Sequence, residues 1–484
     1  MKVPLNQMSN ASSAINGSHL WLLAGVLIYA ATFFVYYPSI FAIRDESGYL
    51  SMAYTLREGT VYAEKTGVPN NYFLTLGRHW VSISPLGNSL ALVPFTLLGW
   101  KSVFLLGFLM HLLGVFYFYK FIEKEGLSPG WALLYLFFPA FVLYSRTIMS
   151  DIPALTLFLM GAYFYRRNRL GWAGIFWGAS MTFRLTNVVG VVPFGIAALA
   201  RSIRSKSFTP LFSLSFGIFI CAILMAVQNF FCYGSPWTLG LSRDFNGVVA
   251  FSSHYFIRNL WHYFSSLSIQ YPLMCLLFFS VTFFKKYAEF AWSAISIAGV
   301  YLFYYFYDTF SGPLPTLMFG NRYFFPVIAF LLVGYIGGCD KWLQKWPRKV
   351  QSGFWAVLLL GLAASNVVVQ KKHFDFLEQQ RVLKDLVYEN TTPHSVIVHD
   401  VGATELLQKV WGDREYVTCR EEELEKTLTN LDFSKEVFLV TRDIQTSAGL
   451  SLSNMNKAFD GLTLKWHKTP VAISYGLHID RIEK

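Results

Sequence analysis

Charged residues are scarce in this sequence. They make up 14% of the 484 residues, whereas hydrophobic residues make up 54%; soluble domains carry roughly a quarter charged residues. Too little polar surface remains to cover a soluble globule, which indicates a polytopic membrane protein. Spacing typical of cysteine ligands is also missing among the five cysteines, so neither a disulfide framework nor a zinc site is expected. Residues 1–18 lack a cleavage-site pattern, and the first helix is interpreted as a retained anchor.

The net charge of +11 lies in short basic clusters between apolar segments, a pattern that topology explains better than nucleic-acid binding does. About eleven membrane spans are predicted, at residues 20–42, 102–121, 130–146, 151–166, 171–184, 187–200, 209–231, 271–284, 289–307, 322–339 and 351–369. A cytoplasmic N-terminus places every cluster inside, namely Lys120, Lys124, Arg166, Arg167, Arg169, Arg201, Arg204, Lys206, Lys285, Lys286, Lys341, Lys345, Arg348 and Lys349. The C-terminus is then outside, in a plasma or inner membrane protein.

Two of these spans are short, and they share the region 171–200. One long span there would reverse all later loops and export Arg201, Arg204 and Lys206. We expect instead two helices that meet at a break beginning at Arg184, within the outer leaflet. Irregular backbone at that depth requires burial in protein or a wet cavity. The break therefore points to a site.

The predicted fold is an all-α polytopic membrane domain, residues 1–370, with a small extracytoplasmic α/β domain over 371–484. The first extracytoplasmic loop, 43–101, contains an apolar stretch, Pro85–Leu98, that is too short to span and is expected to lie at the interface or re-enter. The C-terminal domain is predicted from β-type runs and two polar helical stretches, with no glycine-rich phosphate loop and no triad. The runs are Ser395–Val398, Tyr416–Cys419, Val437–Val440 and Ala472–Ser474, and the helices are Ala403–Val410 and Glu421–Thr429.

Charged side chains at the outer ends of spans are costly and need a reason. This topology places seven of them on one side, namely Arg44, Asp45, Glu46, Arg146, Asp151, Arg184 and Arg322. Arginine binds phosphate through charge-assisted, often bidentate hydrogen bonds. A carboxylate can take the proton of an attacking hydroxyl, and a second can orient the nucleophile. The cluster thus suits a reaction in which an anionic lipid headgroup is held and a hydroxyl is deprotonated.

Structural explanations remain open for these residues. The stretch that begins at Arg44 could be a solvated loop with incidental charge. Arg146 and Asp151 could form a local ion pair, since Asp151-Ile152-Pro153 is also typical of an N-cap followed by an early helical proline. Arg184 and Arg322 could be snorkelling side chains. His79, His254 and His262 suit an interface better than a ligand role, and the aromatic residues suit lipid-facing packing.

Several motifs in order resemble those of GT-C glycosyltransferases, in particular the dolichyl-phosphate-mannose protein mannosyltransferase and lipid A aminoarabinose transferase group. The resemblance covers about residues 40–340. The motifs are Asp45-Glu46-Ser47-Gly48-Tyr49-Leu50-Ser51-Met52-Ala53, Ser84-Pro85-Leu86-Gly87-Asn88-Ser89-Leu90, Arg146-Thr147-Ile148-Met149-Ser150-Asp151-Ile152-Pro153-Ala154, Arg184 in a helix break, and Arg322-Tyr323 followed by Pro326.

The resemblance implies transfer of a sugar from a polyprenyl-phosphate donor on the extracytoplasmic face, usually with inversion. Asp45, with Glu46, would supply the base or its orienter, and Asp151 its partner. Phosphate ligands would be Arg184 and Arg322, and the wider substrate site would include Arg44, Tyr49, Arg146 and Tyr323. The sequence departs from the aminoarabinose group at Gly48 and Ser84, where that group has basic residues. The donor's phosphate contacts therefore differ, using His79 or Arg78.

The acceptor, which could be a lipid, a glycan or a protein hydroxyl, does not follow from the resemblance. Metal dependence is open as well, because Asp45, Glu46 and Asp151 could hold a divalent cation through oxygen ligands without diagnostic spacing. A transporter or lipid flippase is the alternative from another class. It predicts paired halves and ionisable residues near mid-membrane, neither of which the sequence has. A non-catalytic scaffold leaves the one-sided charges unexplained.

Overall fold

The computed structural model describes residues 5–64, 73–76, 79–238, 240, 251–270, 286, 288–305, 322–399, 407, 414–419, 421–446, 449–451, 454–462, 465–474 and 476–484. The predicted span 271–284, the loop 308–321 and nearly all of the predicted helix Ala403–Val410 lie outside these residues.

Helices dominate the N-terminal three quarters of the chain. They are α1 Leu5–Val35, α2 Arg44–Arg57, α3 Gly87–Thr96, α4 Phe104–Lys124, α5 Ala132–Leu136, α6 Pro139–Tyr144, α7 Asp151–Arg166, α8 Leu170–Phe183, α9 Asn187–Ser205, α10 Thr209–Tyr233, α11 Phe256–Gln270, α12 Ala288–Phe303, α13 Phe325–Leu343 and α14 Arg348–Glu389. Six helices in the described part are long and apolar enough to cross a membrane. The predicted membrane fold is therefore confirmed, while the number of eleven spans stays a prediction.

The predicted third span, 130–146, is not one helix. It is split into α5 and α6 at Phe137-Phe138-Pro139, and Pro139 occupies the first turn of α6. Proline has no N–H to donate to the carbonyl four residues earlier, and the proline ring clashes with that carbonyl. The preceding helix therefore ends before Pro139. Both short helices are completely buried in the main core of the bundle. This region is therefore part of the protein core and does not face lipid as a single long helix.

The expected break in the region 171–200 is present. α8 ends at Phe183, Arg184 has extended backbone angles, and α9 begins at Asn187. Two side chains from the break region tie the helix ends down: Asn187 Nδ2 donates to Ser180 Oγ over 2.6 Å, and Ser180 Oγ donates to the Ala154 carbonyl over 2.9 Å. The break is a fixed feature of the packed bundle.

The first loop is folded. α2 starts directly at the acidic motif, which puts Asp45 and Glu46 in the first turn, where the helix dipole favours negative charge. Three short strands follow, β1 Tyr62–Glu64, β2 Phe73–Leu76 and β3 His79–Ser82, in the antiparallel order β1-β3-β2. Most of the apolar stretch Pro85–Leu98 forms α3, and Leu90, Leu97 and Leu98 of the stretch are exposed. An exposed apolar helix suits the expected interfacial position.

The C-terminal domain is a mixed sheet with helices. Its strands are β4 Val396–His399, β5 Glu415–Thr418, β6 Val437–Arg442, β9 His467–Ser474 and β10 Leu477–Glu483, in the order β5-β4-β6-β10-β9, beside a small ribbon of β7 Ile444–Thr446 and β8 Gly449–Ser451. β4 is parallel to β5 and β6, and β10 is antiparallel to β6 and β9. Helices α15 Leu424–Thr429 and α16 Asn454–Asp460 complete it. The predicted α/β class is correct, and β10 is an additional strand.

α14 joins the two parts of the chain without interruption. It has 42 residues, a length of about 60 Å, and it passes straight through the boundary predicted at residue 370. Val369 belongs to the membrane core, whereas Leu383 and Val387 pack with Ile397 and Val440 of the sheet. The position of the domain boundary stays a prediction, and the chain is helical, not a flexible linker, at that point.

Candidate active site

The predicted site residues Asp45, Asp151, Arg184 and Arg322 come from four places that meet at one end of the helix bundle, which we call the site end. They are the start of α2, the start of α7, the break between α8 and α9, and the short turn Arg322–Phe324 that precedes α13. Asp151 is the first residue of α7, and Ser150 takes the N-cap position. The two aspartates, Asp45 and Asp151, thus lie in the first turns of helices, and the two arginines lie in the short segments between helices.

Asp151 and Arg184 form an ion pair. The Arg184 guanidinium donates from Nη1 to Asp151 Oδ1, and the Asp151 side chain is only 1% exposed. The other carboxylate oxygen, Oδ2, is buried and has no hydrogen-bond partner among the described residues. A buried carboxylate oxygen without a donor is costly. Asp151 therefore fixes Arg184 and retains an acceptor that faces the protein interior.

Asp45 and Arg322 form a second pair. Arg322 donates from Nη1 to Asp45 Oδ2 over 3.3 Å and from Nη2 to its neighbour's hydroxyl, Tyr323 Oη, over 2.7 Å. Its third donor, Nε, is buried and has no partner among the described residues. Asp45 is 29% exposed, far more than Asp151. Of the two carboxylates, Asp45 is the one that a substrate can reach.

The ring of Tyr323 lies against both arginines. The guanidinium carbon of Arg184 is 4.6 Å from the ring centroid, and that of Arg322 is 4.8 Å away. Tyr301 stacks on Tyr323 at 4.7 Å and shares a hydrogen bond with Thr186 in the helix break. The ring holds two like charges near one another through cation–π contacts. Tyr323 thus lies among the predicted charged residues, and its contact with substrate stays a prediction.

Sequence reasoning missed the other tyrosines of this cluster. Tyr144, at the end of α6, is buried within the electrostatic reach of Asp45 and both arginines, and Tyr263 and Tyr304 face the same group. Their signal was hidden because aromatic residues are abundant throughout and were assigned to lipid-facing packing. The one available clue was that Tyr144 lies two residues before Arg146, where the second motif begins.

Glu46 lies beside Asp45 but points into the protein. Its Oε1 accepts hydrogen bonds from the backbone N–H groups of Ala42 and Ile43 over 2.8 and 2.9 Å, and its Oε2 accepts from Ile148 N–H over 2.9 Å. The side chain is fully buried, and burial raises its pKa to about 7, against the opposing effect of the three N–H donors. Glu46 thus joins the segment before α2 to the segment before α7. Its predicted catalytic role remains a prediction.

Two further contacts reinforce that junction. Tyr49 Oη donates to Ser150 Oγ over 3.2 Å, and Asn88 Nδ2 of α3 donates to the Ile148 carbonyl over 2.8 Å. Tyr49 was predicted to bind substrate, and the structure places it beside the start of α7, within reach of the charges of Asp45 and Arg184. The hydrogen bonds hold Asp45 and Asp151 in a fixed mutual position.

Arg146 turns away from Asp151, so the local ion pair considered from the sequence does not form. Its Nη1 donates to Gln370 Oε1 over 2.8 Å, its Nε to His373 Nδ1 over 3.1 Å, and its Nη2 to the Tyr36 carbonyl. Arg146 is fully buried among these neutral acceptors. These hydrogen bonds connect α14 to the site end. The contact of Arg146 with substrate stays a prediction.

The remaining predicted ligands are peripheral or lie outside the description. His79, at the start of β3, is exposed and packs its ring on Tyr62 at 4.4 Å. Arg78 is outside the described residues, as is the side chain of Arg44. In the described ranges, no group of three or more His, Cys, Asp or Glu side chains could hold a metal ion. Asp45 and Asp151 each face an arginine, an arrangement that suits an anion between the arginines better than a cation.

The fold and the charged cluster define an integral membrane protein with a site at one end of its helix bundle. Its fold is similar to that of ArnT from Cupriavidus metallidurans, a protein with the GT-C fold. The apo structure of ArnT matches with a TM-score of 0.54 over 95% of this chain and 97% of ArnT, at 13% identity. The structure of ArnT bound to undecaprenyl phosphate matches with a TM-score of 0.53 over 95% and 98%, at 11% identity.

These coverages include the C-terminal sheet domain, so the architecture is shared over nearly the whole length of both chains. The GT-C-like fold expected from the motifs is thereby confirmed. No family model matches the sequence, and no curated protein sequence matches it.

Proposed function

We propose that this chain is a GT-C-type membrane glycosyltransferase that moves a sugar from a polyprenyl-phosphate donor to an acceptor hydroxyl on the extracytoplasmic face, with inversion. The observation that carries the proposal is the pair of carboxylate–arginine contacts, Asp45 with Arg322 and Asp151 with Arg184, around Tyr323. The undecaprenyl phosphate bound by ArnT supports the donor class.

In the proposed reaction, the acceptor oxygen attacks the anomeric carbon while the bond from that carbon to the phosphate oxygen breaks. The bonding electrons go to the phosphate, and the acceptor's proton goes to Asp45. Asp45 takes this role because it is the more exposed carboxylate, and Asp151 is the positioning residue that orients Arg184. The leaving group is an anionic phosphate, so charge stabilisation contributes more than acid catalysis.

The pairing of Asp45 with Arg322 links proton transfer to charge stabilisation. The donor's phosphodiester has one negative charge, and the departing phosphate monoester carries close to two. When Asp45 accepts the proton it becomes neutral, and Arg322 no longer has an anionic partner. Arg322 can then give its full charge to the phosphate as the second negative charge develops. An interaction that strengthens toward the transition state is the kind that raises kcat.

The test is sugar transfer in proteoliposomes with a panel of polyprenyl-phosphate sugars and an extracted native glycoconjugate as acceptor, with and without a chelator. Wild type should transfer, and Asp45→Asn should lose about 10²–10⁴-fold in kcat. Asp375→Asn is the matched control, because Asp375 is exposed on α14 and, among the residues that the structure describes, pairs only with Lys371. It should transfer as wild type does.

Equal transfer by Asp45→Asn and wild type would remove Asp45 from the mechanism. Movement of the intact lipid-linked sugar across the bilayer, with no new glycosidic bond, would instead support the transporter alternative. Loss of transfer in the presence of the chelator would indicate that a divalent cation binds at the acidic residues.

A further inference from the structure

A groove of about 770 Å³ lies at the opposite end of the bundle, between the turn after α7 and the turn after α9. Its lining includes Arg169, Trp172, Ser205, Ser207 and Thr209. α7 runs from Asp151 in the active site to Arg166 beside the groove, and its 16 residues measure about 24 Å. The groove therefore belongs neither to the charged cluster nor to the proposed chemistry.

The walls of the groove are held by direct backbone contact between α8 and α10. A Cβ atom on Gly174 would lie 2.1 Å from the Leu214 carbonyl oxygen, and one on Gly217 would lie 2.4 Å from the Ile175 nitrogen. Only glycines allow helices to approach this closely. This contact fixes the distance between α8 and α10, and with it the width of the groove.

The groove is surrounded by positive charge without acidic neighbours in the sequence. No Asp or Glu occurs between Asp151 and Asp244, a segment that contains both turns. Nearby carboxylates are paired elsewhere: Glu125 with Arg166 and Glu289 with Arg201. The basic residues that flank the groove and form no salt bridge within the described part of the chain are Arg167, Arg169, Arg204 and Lys206. Such a surface is complementary to an anion.

Apolar side chains continue from the groove along the bundle. Trp172 is 53% exposed at its rim, and Phe212 and Phe216, one turn apart on α10, are 71% and 66% exposed. Ser205, Ser207 and Thr209 also line the groove with hydroxyl groups. A ligand that matches all three features has an anionic, hydrogen-bonding head and a long apolar tail.

We propose that this groove is a binding site for one anionic phospholipid. Its phosphate would contact Arg169 and the hydroxyl groups of the two turns, and an acyl chain would lie along Trp172 and the phenylalanines of α10. In the predicted topology this end faces the cytoplasm, where basic pockets between helices bind acidic lipid headgroups. The proposal is independent of the glycosyltransferase reaction.

The experiment titrates the detergent-solubilised full chain with dioleoyl phosphatidylglycerol or dioleoyl phosphatidylcholine and follows the unfolding temperature, since a ligand of the native state raises it. Phosphatidylglycerol should stabilise more than phosphatidylcholine, which has the same tails. Arg169→Ala/Lys206→Ala should weaken the phosphatidylglycerol effect by about fivefold in Kd per residue, which is about 1 kcal/mol each.

The charge-matched control is Lys341→Ala/Lys345→Ala. Both of these lysines lie at the same end of the bundle, near the end of α13, and neither lines the groove. This variant should bind phosphatidylglycerol as wild type does. Ser207→Trp, which keeps every charge but fills the groove from an exposed turn, should lose the preference for phosphatidylglycerol.

Three results would overturn the proposal. Equal weakening in the control variant would mean diffuse surface charge. Unchanged binding by Ser207→Trp would mean that the groove is not used. Stabilisation by inorganic phosphate alone at the same concentrations would identify a soluble anion as the ligand.

Discussion

Arg322 donates a hydrogen bond from Nη1 to Asp45 Oδ2 over 3.3 Å, although 277 positions separate the two residues in the chain. The proposed base and a proposed phosphate ligand are therefore partners of one another. Arg184 and Asp151 repeat the arrangement, and Arg184 also contacts the ring of Tyr323. Each arginine is positioned by a carboxylate, which is the preorganisation that charge stabilisation in a low-dielectric site requires.

Replacing Arg322 by alanine should lower kcat about 10²–10³-fold, because it removes a charged donor aimed at the departing phosphate. Arg322→Lys should recover only part of this loss, since a lysine lacks the planar fork that reaches Asp45 and a phosphate at once. Sugar transfer and polyprenyl-phosphate binding would be measured together. Arg381→Ala, at an exposed ion pair on α14, is the control. Full activity in Arg322→Ala would exclude this residue from the site.

The Asp151–Arg184 pair should be strongly coupled. Asp151→Asn or Arg184→Gln alone should destabilise the protein by about 3–5 kcal/mol, because each leaves a buried charge without its partner. The double variant should be much less destabilised than the sum. Unfolding in detergent would provide the double-mutant cycle. Additive losses would show that the two residues act separately.

The sequence predicted that Asp45, Asp151, Arg184 and Arg322 gather at one end of the bundle, because positive-inside bias fixes which helix ends share a side. It could not predict which acid pairs with which arginine. That choice depends on how helices pack, and Arg146 illustrates it: the residue five positions before Asp151 bonds to Gln370 and His373 instead.

The continuity of α14 was hidden for a related reason. Composition changes near residue 370, yet a stripe of buried residues (Val369, Leu377, Leu383 and Val387) persists across that point. The stripe, and not the overall polarity, determines that the helix continues. Strand β10 was missed because its alternation of apolar and polar residues is broken at Asp480-Arg481, where the register with β9 shifts between Ile479 and Asp480.

The contact between Arg146 and His373 predicts a loss of stability in acid. Burial, with the charge of Arg146, holds the pKa of His373 well below its usual value of about 6.5. A base with a lowered pKa in the folded state contributes stability above its unfolded pKa, and this is lost as pH falls through the folded value. The contribution of His373 to the unfolding temperature should therefore fall toward the acid side of pH 5–8, and the difference between wild type and His373→Gln isolates it from the other titrating groups. If the slope of unfolding temperature against pH were the same in His373→Gln and wild type, His373 would not be held neutral in the folded protein.

Glu46 predicts the opposite dependence. Burial raises the pKa of Glu46 from 4.5 to about 7, so its contribution to stability is complete below about pH 4.5 and is lost as pH rises through 7. Glu46→Gln cannot titrate and should remove this part of the pH profile. In the glutamine side chain, the one oxygen can still accept from the N–H groups of Ala42 and Ile43. The NH2 group then faces the N–H of Ile148, and two donors cannot hydrogen-bond to one another, so the variant should be destabilised at every pH. If Glu46 only connects the two segments, sugar transfer by folded Glu46→Gln should stay within about tenfold of wild type, far above Asp45→Asn. A loss equal to that of Asp45→Asn would give Glu46 a direct part in the chemistry.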